Sequence, residues 1–161
     1  MGYVSKDAKW YLADIIEEIR VQGDRRNVVH TNRTLIRADS RNEAYRKALA
    51  WGKQGNTRYK NPAGKMVTIK FRGLAELDVI HDELEHGSEI GFSEDIALSE
   101  RNVKSRMVPK RKLGVFAPVR PIRGPDYASG EVMDEVYERW PHLKKSGRPG
   151  RKKSPRAKIN R

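Results

Sequence analysis

The stretch Thr34-Leu35-Ile36-Arg37-Ala38-Asp39-Ser40-Arg41-Asn42-Glu43-Ala44-Tyr45-Arg46-Lys47-Ala48-Leu49-Ala50-Trp51-Gly52-Lys53-Gln54-Gly55 decides the fold. Leu35 and Ile36 close a strand, Asp39 and Ser40 turn the chain, and Glu43 to Gln54 reads as a helix. Ser40 is an N-cap residue, and Glu43 follows three positions later, where its carboxylate reaches back. That is a capping box, which satisfies two otherwise orphan backbone donors. At about 100° per residue, Trp51, Ala44, Ala48, Tyr45 and Leu49 share an arc of roughly 160°. Arg46, Lys47, Ala50, Lys53 and Gln54 take the other side. A helix with one apolar face, set between strand patterns, covers one side of a sheet.

Working outward, residues 9–22 alternate as a strand. Trp10, Leu12, Asp14 and Ile16 lie on one face, and Tyr11, Ala13, Ile15, Glu17, Ile19 and Val21 on the other. A helical reading is the alternative; the β-branched and aromatic content favours the strand. Gly23-Asp24 offers a hairpin turn into a second strand, Asn27 to Ala38, whose Val29–Arg37 face is polar in its middle and therefore partly solvated. After the helix, which Gly52 and Gly55 are expected to stop, Thr57 to Lys60 gives a short strand. Asn61-Pro62-Ala63-Gly64 is a turn, and Lys65 to Arg72 returns with clean alternation. Gly73 marks a bulge, Leu74 to Ile80 continues the strand, and Ser88 to Phe92 reads as a last short strand. The layout is α+β, in ββαββ order: a small, mainly antiparallel sheet with one principal helix packed on a face.

The remainder of the chain is different in kind. Of 161 residues, the first 100 hold 16 basic and 16 acidic side chains, and the last 61 hold the other 18 and 5. The whole net charge of +13 therefore belongs to the C-terminal extension. The boundaries are an α+β body over 1–116, a Pro-rich linker over 117–128, a short amphipathic helix over 129–142 and a basic tail over 143–161. Ser129 caps the short helix, Met133, Val136, Tyr137 and Trp140 share its apolar face, and Pro141 ends it. Three turns are marginal alone in water, so the body, a second copy or a partner must receive that face. The tail is expected to be disordered when free. Leu113-Gly114-Val115-Phe116 is a stub that could add a strand.

A strongly basic balance favours a polyanionic partner, nucleic acid before a membrane surface. With no cysteine, disulfides, thiolate zinc sites and cysteine nucleophiles are excluded. No apolar run approaches the ~18 residues needed to cross a bilayer, and the N-terminus lacks a signal-peptide core, so a cytoplasmic protein is expected.

Residues 9–92 resemble a bacterial family of uncharacterised small proteins, the domain of unknown function 4288 family. The resemblance rests on Trp10-Tyr11, the Ala38-Asp39-Ser40-Arg41-Asn42-Glu43-Ala44 junction, Tyr59 with Asn61 and Gly64, Phe71-Arg72-Gly73-Leu74 and Gly87-Ser88-Glu89-Ile90. It implies a small α+β domain and no activity. The basic region lies outside it.

Candidate chemistry begins with the tail. Lys144, Lys145, Arg148, Arg151, Lys152, Lys153, Arg156, Lys158 and Arg161 are spaced by Gly, Pro and Ser, and such a chain can follow a phosphate backbone. Ser146-Gly147-Arg148-Pro149-Gly150-Arg151-Lys152-Lys153 resembles the AT-hook class of minor-groove motifs. It departs from that pattern in Ser146, where an Arg is expected, and in the second Gly after Pro149, which argues against sequence-selective reading. A second basic run, with Arg101, Lys104, Arg106, Lys110, Arg111 and Lys112, either extends the same footprint or is a solvated loop, and Pro109 argues against a regular helix there. Arg33, Arg37, Lys70 and Arg72 could line an open sheet face on which Tyr59 stacks a base. The competing assignment puts Trp10, Tyr45, Trp51 and Tyr59 in the core. His81-Asp82-Glu83-Leu84-Glu85-His86 reads as a solvated acidic turn, because its spacing fits neither a helical zinc pair nor a finger. Asp14, Glu17 and Glu18 do not pair for acid–base work, since neighbours on a strand point apart.

These readings combine into a non-enzymatic protein that needs no metal or cofactor and binds DNA or RNA through its basic tail. The alternative is a protein-interaction module, an immunity or accessory subunit or a homodimer, that docks through Met133, Val136, Tyr137 and Trp140.

Overall fold

The computed structural model describes residues 8–117 and 124–141. Four antiparallel strands, β1 (Trp10–Val21), β2 (Asn27–Arg37), β3 (Thr57–Lys60) and β4 (Met66–Ile80), form one sheet in the order β2-β1-β4-β3. α1 (Arg41–Gln54) follows β2; α2 (Glu100–Arg106), a 3₁₀ turn (Lys110–Lys112) and α3 (Gly130–Arg139) come later. The α+β expectation holds, with a single principal helix on the sheet.

Strand β1 is the spine, because alternation gives it one strongly apolar face. Tyr11, Ala13, Ile15, Ile19 and Val21 are all buried. Its pairing with β2 is unbroken over eleven residues, from Trp10 opposite Arg37 to Arg20 opposite Asn27. Its pairing with β4 shifts on both sides of Gly73, whose φ of +144° is a conformation that glycine tolerates. Arg72 and Ala75 are the extra residues, so the bulge foreseen at Gly73 is double and β4 runs through it.

The cap of α1 is built nearly as its sequence predicts. Ser40 Oγ accepts from the Glu43 N–H at 3.2 Å, and Glu43 Oε2 accepts from the Asp39 N–H at 2.8 Å, one residue further back than the standard box. Lys47 then pairs with Glu43 at 2.7 Å.

The buried stripe of α1 differs from the expected one. It is Ala44, Ala48 and Gly52, while Tyr45 and Trp51 are exposed rather than in the core. Small residues let the helix sit close on Tyr11, Ala13, Ile15 and Ile36, with Phe71, Leu74, Leu77 and Val79 around them. The aromatics flank that stripe and splay to either side. Gly52 does not stop the helix; it lies inside it, where a Cβ would come within 2.4 Å of the Phe71 ring. Gly55 is the C-cap.

A second apolar cluster lies at the other end of the same sheet face, made by Ile19, Val21 and Val67 with Val28, Tyr59, Ile69 and Tyr127. Its cover comes from the far end of the expected linker. Pro125 is buried, the Tyr59 hydroxyl donates to the Tyr127 carbonyl, and Asn61 Nδ2 donates to the Asp126 carbonyl at 2.8 Å. Asn61 is itself buried, and its Oδ1 accepts from Ala63 and Lys65 N–H, fixing the turn between β3 and β4.

Three further expectations are corrected. Ser88–Phe92 is not a strand: the segment lies against the opposite sheet face, where Gly91 abuts Leu12. Leu113–Phe116 is a turn, closed by Phe116 N–H donating to the Leu113 carbonyl at 2.8 Å. The start of the second basic run is a regular helix, α2, because Pro109 lies beyond its end and Ser99 caps its start.

Candidate nucleic-acid interface

Of the two expected basic runs, the one among the described residues occupies α2 and the turn after it. Ser99 Oγ accepts from the Asn102 N–H at 3.3 Å, and the seven-residue helix then carries Arg101, Lys104 and Arg106, all exposed. Lys104 pairs with Glu100 at 3.3 Å, and Arg106 with Asp95 at 2.7 Å. Both pairs are solvated and contribute little to stability. Lys110, Arg111 and Lys112 follow in the 3₁₀ turn, and the Lys110 ammonium sits 4.9 Å from the Phe116 ring centroid. Among the described residues no ion pair engages Arg101, Arg111 or Lys112. Exposed Met107, Val108, Leu113, Val115 and Phe116 are interleaved with these cations. The tail residues Lys144, Lys145, Arg148, Arg151, Lys152, Lys153, Arg156, Lys158 and Arg161 lie outside the described residues.

The second expected surface, the open sheet face, forms only in part. Arg33, Arg37, Lys70 and Arg72 do share one face, with Trp10, Leu12, Asp14, Ile16 and Glu18 of β1. Tyr59 is on the opposite face, half-buried under Tyr127, so it stacks nothing there. Burial, with Tyr127 and Asp126 nearby, raises its hydroxyl above the ordinary tyrosine range. The cations of this face also meet acids. Arg20 and Arg72 lie 2.6 and 3.7 Å from Glu18, and Arg33 lies 3.6 Å from Asp14. A hydrogen bond from Asn27, then Arg20 and Arg72, hold the Glu18 carboxyl below its ordinary value. Desolvation, then Glu76 and Asp14, push Asp78 above it. The face is a mixed-charge lattice and offers phosphate no continuous positive stripe.

The amphipathic helix α3 starts against the end of β3. A Cβ on Gly130 would come within 3.1 Å of the Lys60 carbonyl oxygen. Met133, Val136 and Tyr137 are half-buried, whereas Val132 and Trp140 are exposed, with the Arg139 guanidinium 5.4 Å from the Trp140 ring. In the acidic turn, Asp82 Oδ2 accepts from the Glu89 N–H at 3.1 Å, and Ser88 Oγ accepts from the Glu85 N–H at 2.8 Å. Among the described residues no three His, Asp or Glu side chains are placed as metal ligands. No described helix is long and apolar enough to cross a membrane.

The architecture defines a class: a small α+β domain whose four-stranded antiparallel sheet is covered on one face by one helix and a returning C-terminal segment. The family model described as a domain of unknown function, DUF4288, matches residues 10–91, which is β1 through the loop after β4. The chain belongs to that family. Searches of curated proteins and of solved structures found no match. The basic helix α2, α3 and the tail fall outside the matched region.

Proposed function

We propose that the chain is a non-enzymatic nucleic-acid-binding protein of the cytoplasm. The folded body carries a basic C-terminal region that contacts phosphate backbones with little sequence preference. The observation that carries this reading is the segregation of charge: 100 residues with 16 basic and 16 acidic side chains, then 61 residues with 18 and 5. A solvated face distributes its charges; a one-sided excess of this size attracts polyanions and releases their counterions on binding. The exposure of Arg101, Arg111 and Lys112 supports it, and Phe116 beside Lys110 gives an aromatic surface next to a cation, a pairing suited to single-stranded segments.

A second reading is a protein-interaction module. It is favoured by one observation, the exposure of Val132 and Trp140 on a helix whose Met133, Val136 and Tyr137 are half-buried. Trp140 would be its anchor.

Gel shifts with the full chain and with a truncation after Leu143 decide between them. The first reading expects the truncation to lose most of its affinity for duplex DNA and for RNA alike. Equal binding by the two proteins refutes it. Capture of a protein partner that Trp140→Ala abolishes would favour the second.

A further inference from the structure

Four large apolar side chains are exposed between residues 8 and 80: Val29, Leu35, Tyr45 and Trp51. Three of them, Val29, Leu35 and Trp51, line a single feature, the free edge of β2. Val29 and Leu35 are 54% and 45% exposed on one face of that strand. Trp51, 58% exposed, overhangs it from the other face, where it borders shallow grooves with Asn32 and Thr34 on one side and Leu35 and Ile36 on the other.

Apart from exposed Arg33 and Arg37, this edge lacks the devices that normally blunt one. It is eleven residues long, free of proline, and in unbroken register with β1. The opposite edge, β3, has only four residues, and the start of α3 lies against its end. Ala38 N–H donates to the Lys9 carbonyl at 3.0 Å, so even-numbered residues of β2 bond to β1 and odd-numbered ones turn their main-chain groups outward. Among the described residues the outward groups of Val29, Thr31, Arg33 and Leu35 receive no bond from any other segment. At Arg37 the outward carbonyl is already taken, by Lys47 Nζ at 2.9 Å.

We propose that β2 pairs antiparallel with β2 of a second copy, about a two-fold axis at Asn32, to make a continuous eight-stranded sheet. The sequence of the edge selects both the occupant and the register. Centred on Asn32, the pairing sets Leu35 opposite Val29 and Ile36 opposite Val28, each twice by symmetry. Arg33 falls opposite Thr31, and Thr34 opposite His30. Every apolar residue meets an apolar one and no cation lies directly opposite a cation; Arg33 and its symmetry mate are diagonal neighbours, each beside its own Asp14 at 3.6 Å. Centring on Arg33 would oppose two guanidinium groups, and centring on Thr31 would set Leu35 against Asn27 and Arg33 against Val29. The outward groups of Val29, Thr31, Arg33 and Leu35 then exchange eight main-chain hydrogen bonds. Both α1 helices lie on the same side of the joined sheet. Trp51, which overhangs Thr34, comes beside His30 of the second copy, whose ring packs edge-on against Tyr127 at 5.5 Å between centroids. Residues 1–100, which include every strand of the sheet, hold 16 basic and 16 acidic side chains, so the chain's excess charge lies outside the paired strands.

The test uses the absence of cysteine from the chain. Asn32→Cys places one thiol per copy on the two-fold axis, in the narrow non-hydrogen-bonded site of the ladder; Thr34→Cys places it opposite His30. Under mild oxidation N32C should convert almost completely to a covalent dimer and T34C hardly at all. In sedimentation velocity the unmodified chain should run at twice 18.5 kDa. Thr31→Pro, which removes an outward donor and leaves the β1 ladder intact, should run at once that mass with an unchanged far-ultraviolet spectrum. A chain that stays monomeric to about 100 µM, or equal cross-linking of N32C and T34C, overturns the proposal. None of these readouts involves nucleic acid, so the tail reading stands or falls separately.

Discussion

Replacing Gly52 by Ala tests the packing of α1 most sharply, because two well-known effects oppose each other there. In an exposed helix interior the change from Gly to Ala stabilises by about 1 kcal/mol. Gly52 is buried, and its added methyl would lie 2.4 Å from Cδ2 and Cε2 of Phe71. Carbon atoms in contact prefer ~3.5–4.0 Å, so the overlap exceeds about 1 Å against two ring atoms at once. The ring belongs to the cluster around Ile15 and Ala48 and cannot swing away without opening a gap beneath the helix. Overpacking of this kind costs about 1–3 kcal/mol, and here it must first cancel the gain in propensity. A net destabilisation of ~1–2 kcal/mol is expected. Urea denaturation of the single variant, of Phe71→Ala and of the double variant measures it. With the ring removed, the sign should invert, and Gly52→Ala should stabilise by about 0.5–1 kcal/mol. A single variant as stable as the parent, or the same ΔΔG in both backgrounds, would refute the account of why glycine stands in this helix.

Asn61→Ala should cost about 1–2 kcal/mol, since the buried Asn61 side chain ties together the Ala63 and Lys65 N–H groups of an exposed turn and the Asp126 carbonyl. Hydrogen exchange should then rise at residues 124–130 while β1 remains protected. Asp78→Asn should raise the melting temperature at pH 7. The Asp78 pKa is raised in the fold, so its charged form is disfavoured above that pKa, and the penalty vanishes as pH falls below ~3.9. Asp24 has the opposite sign. Hydrogen bonds from Arg26 hold its pKa at about 2, so Asp24→Asn should lower stability at pH 7, with the difference fading between pH ~4 and pH ~2.

The sheet was legible because β1 alternates cleanly and its partners repeat the period. The start of α1 was legible because Ser40 and Glu43 name their own bonds. The burial of α1 was not. Ala44 and Ala48 do lie on the expected arc, but the buried stripe is Ala44, Ala48 and Gly52, and Trp51 and Tyr45 stand roughly 60° to either side of it. Apolar periodicity weights large residues most, whereas a helix that sits close to a sheet buries its small ones. The anchoring of Asp126 and Tyr127 was invisible for another reason. It depends on contacts 65 and 68 residues away in sequence, to Asn61 and Tyr59, and no local pattern carries them. Ser88–Phe92 shows alternation without a strand, because five residues of the right period still need a neighbouring edge to pair with.

For the candidate interface, the sequence located the cations, and the structure adds which described ones are spoken for. Arg106 and Lys104 have acidic neighbours; Arg33, Arg72 and Arg20 are absorbed by Asp14 and Glu18. Charge that looks available in a list of residues is neutralised on the sheet and concentrated beyond it.

The salt dependence of binding tests the central claim most directly. Fluorescence anisotropy of a labelled 20-base-pair duplex, titrated with the full chain from 50 to 200 mM salt, gives the slope of log K against log[salt]. Each neutralised phosphate contributes about −0.9 to that slope. A basic region that follows the backbone predicts a slope of about −4 or steeper, the same for unrelated duplex sequences. A slope near zero, or no binding at 50 mM salt, would contradict it.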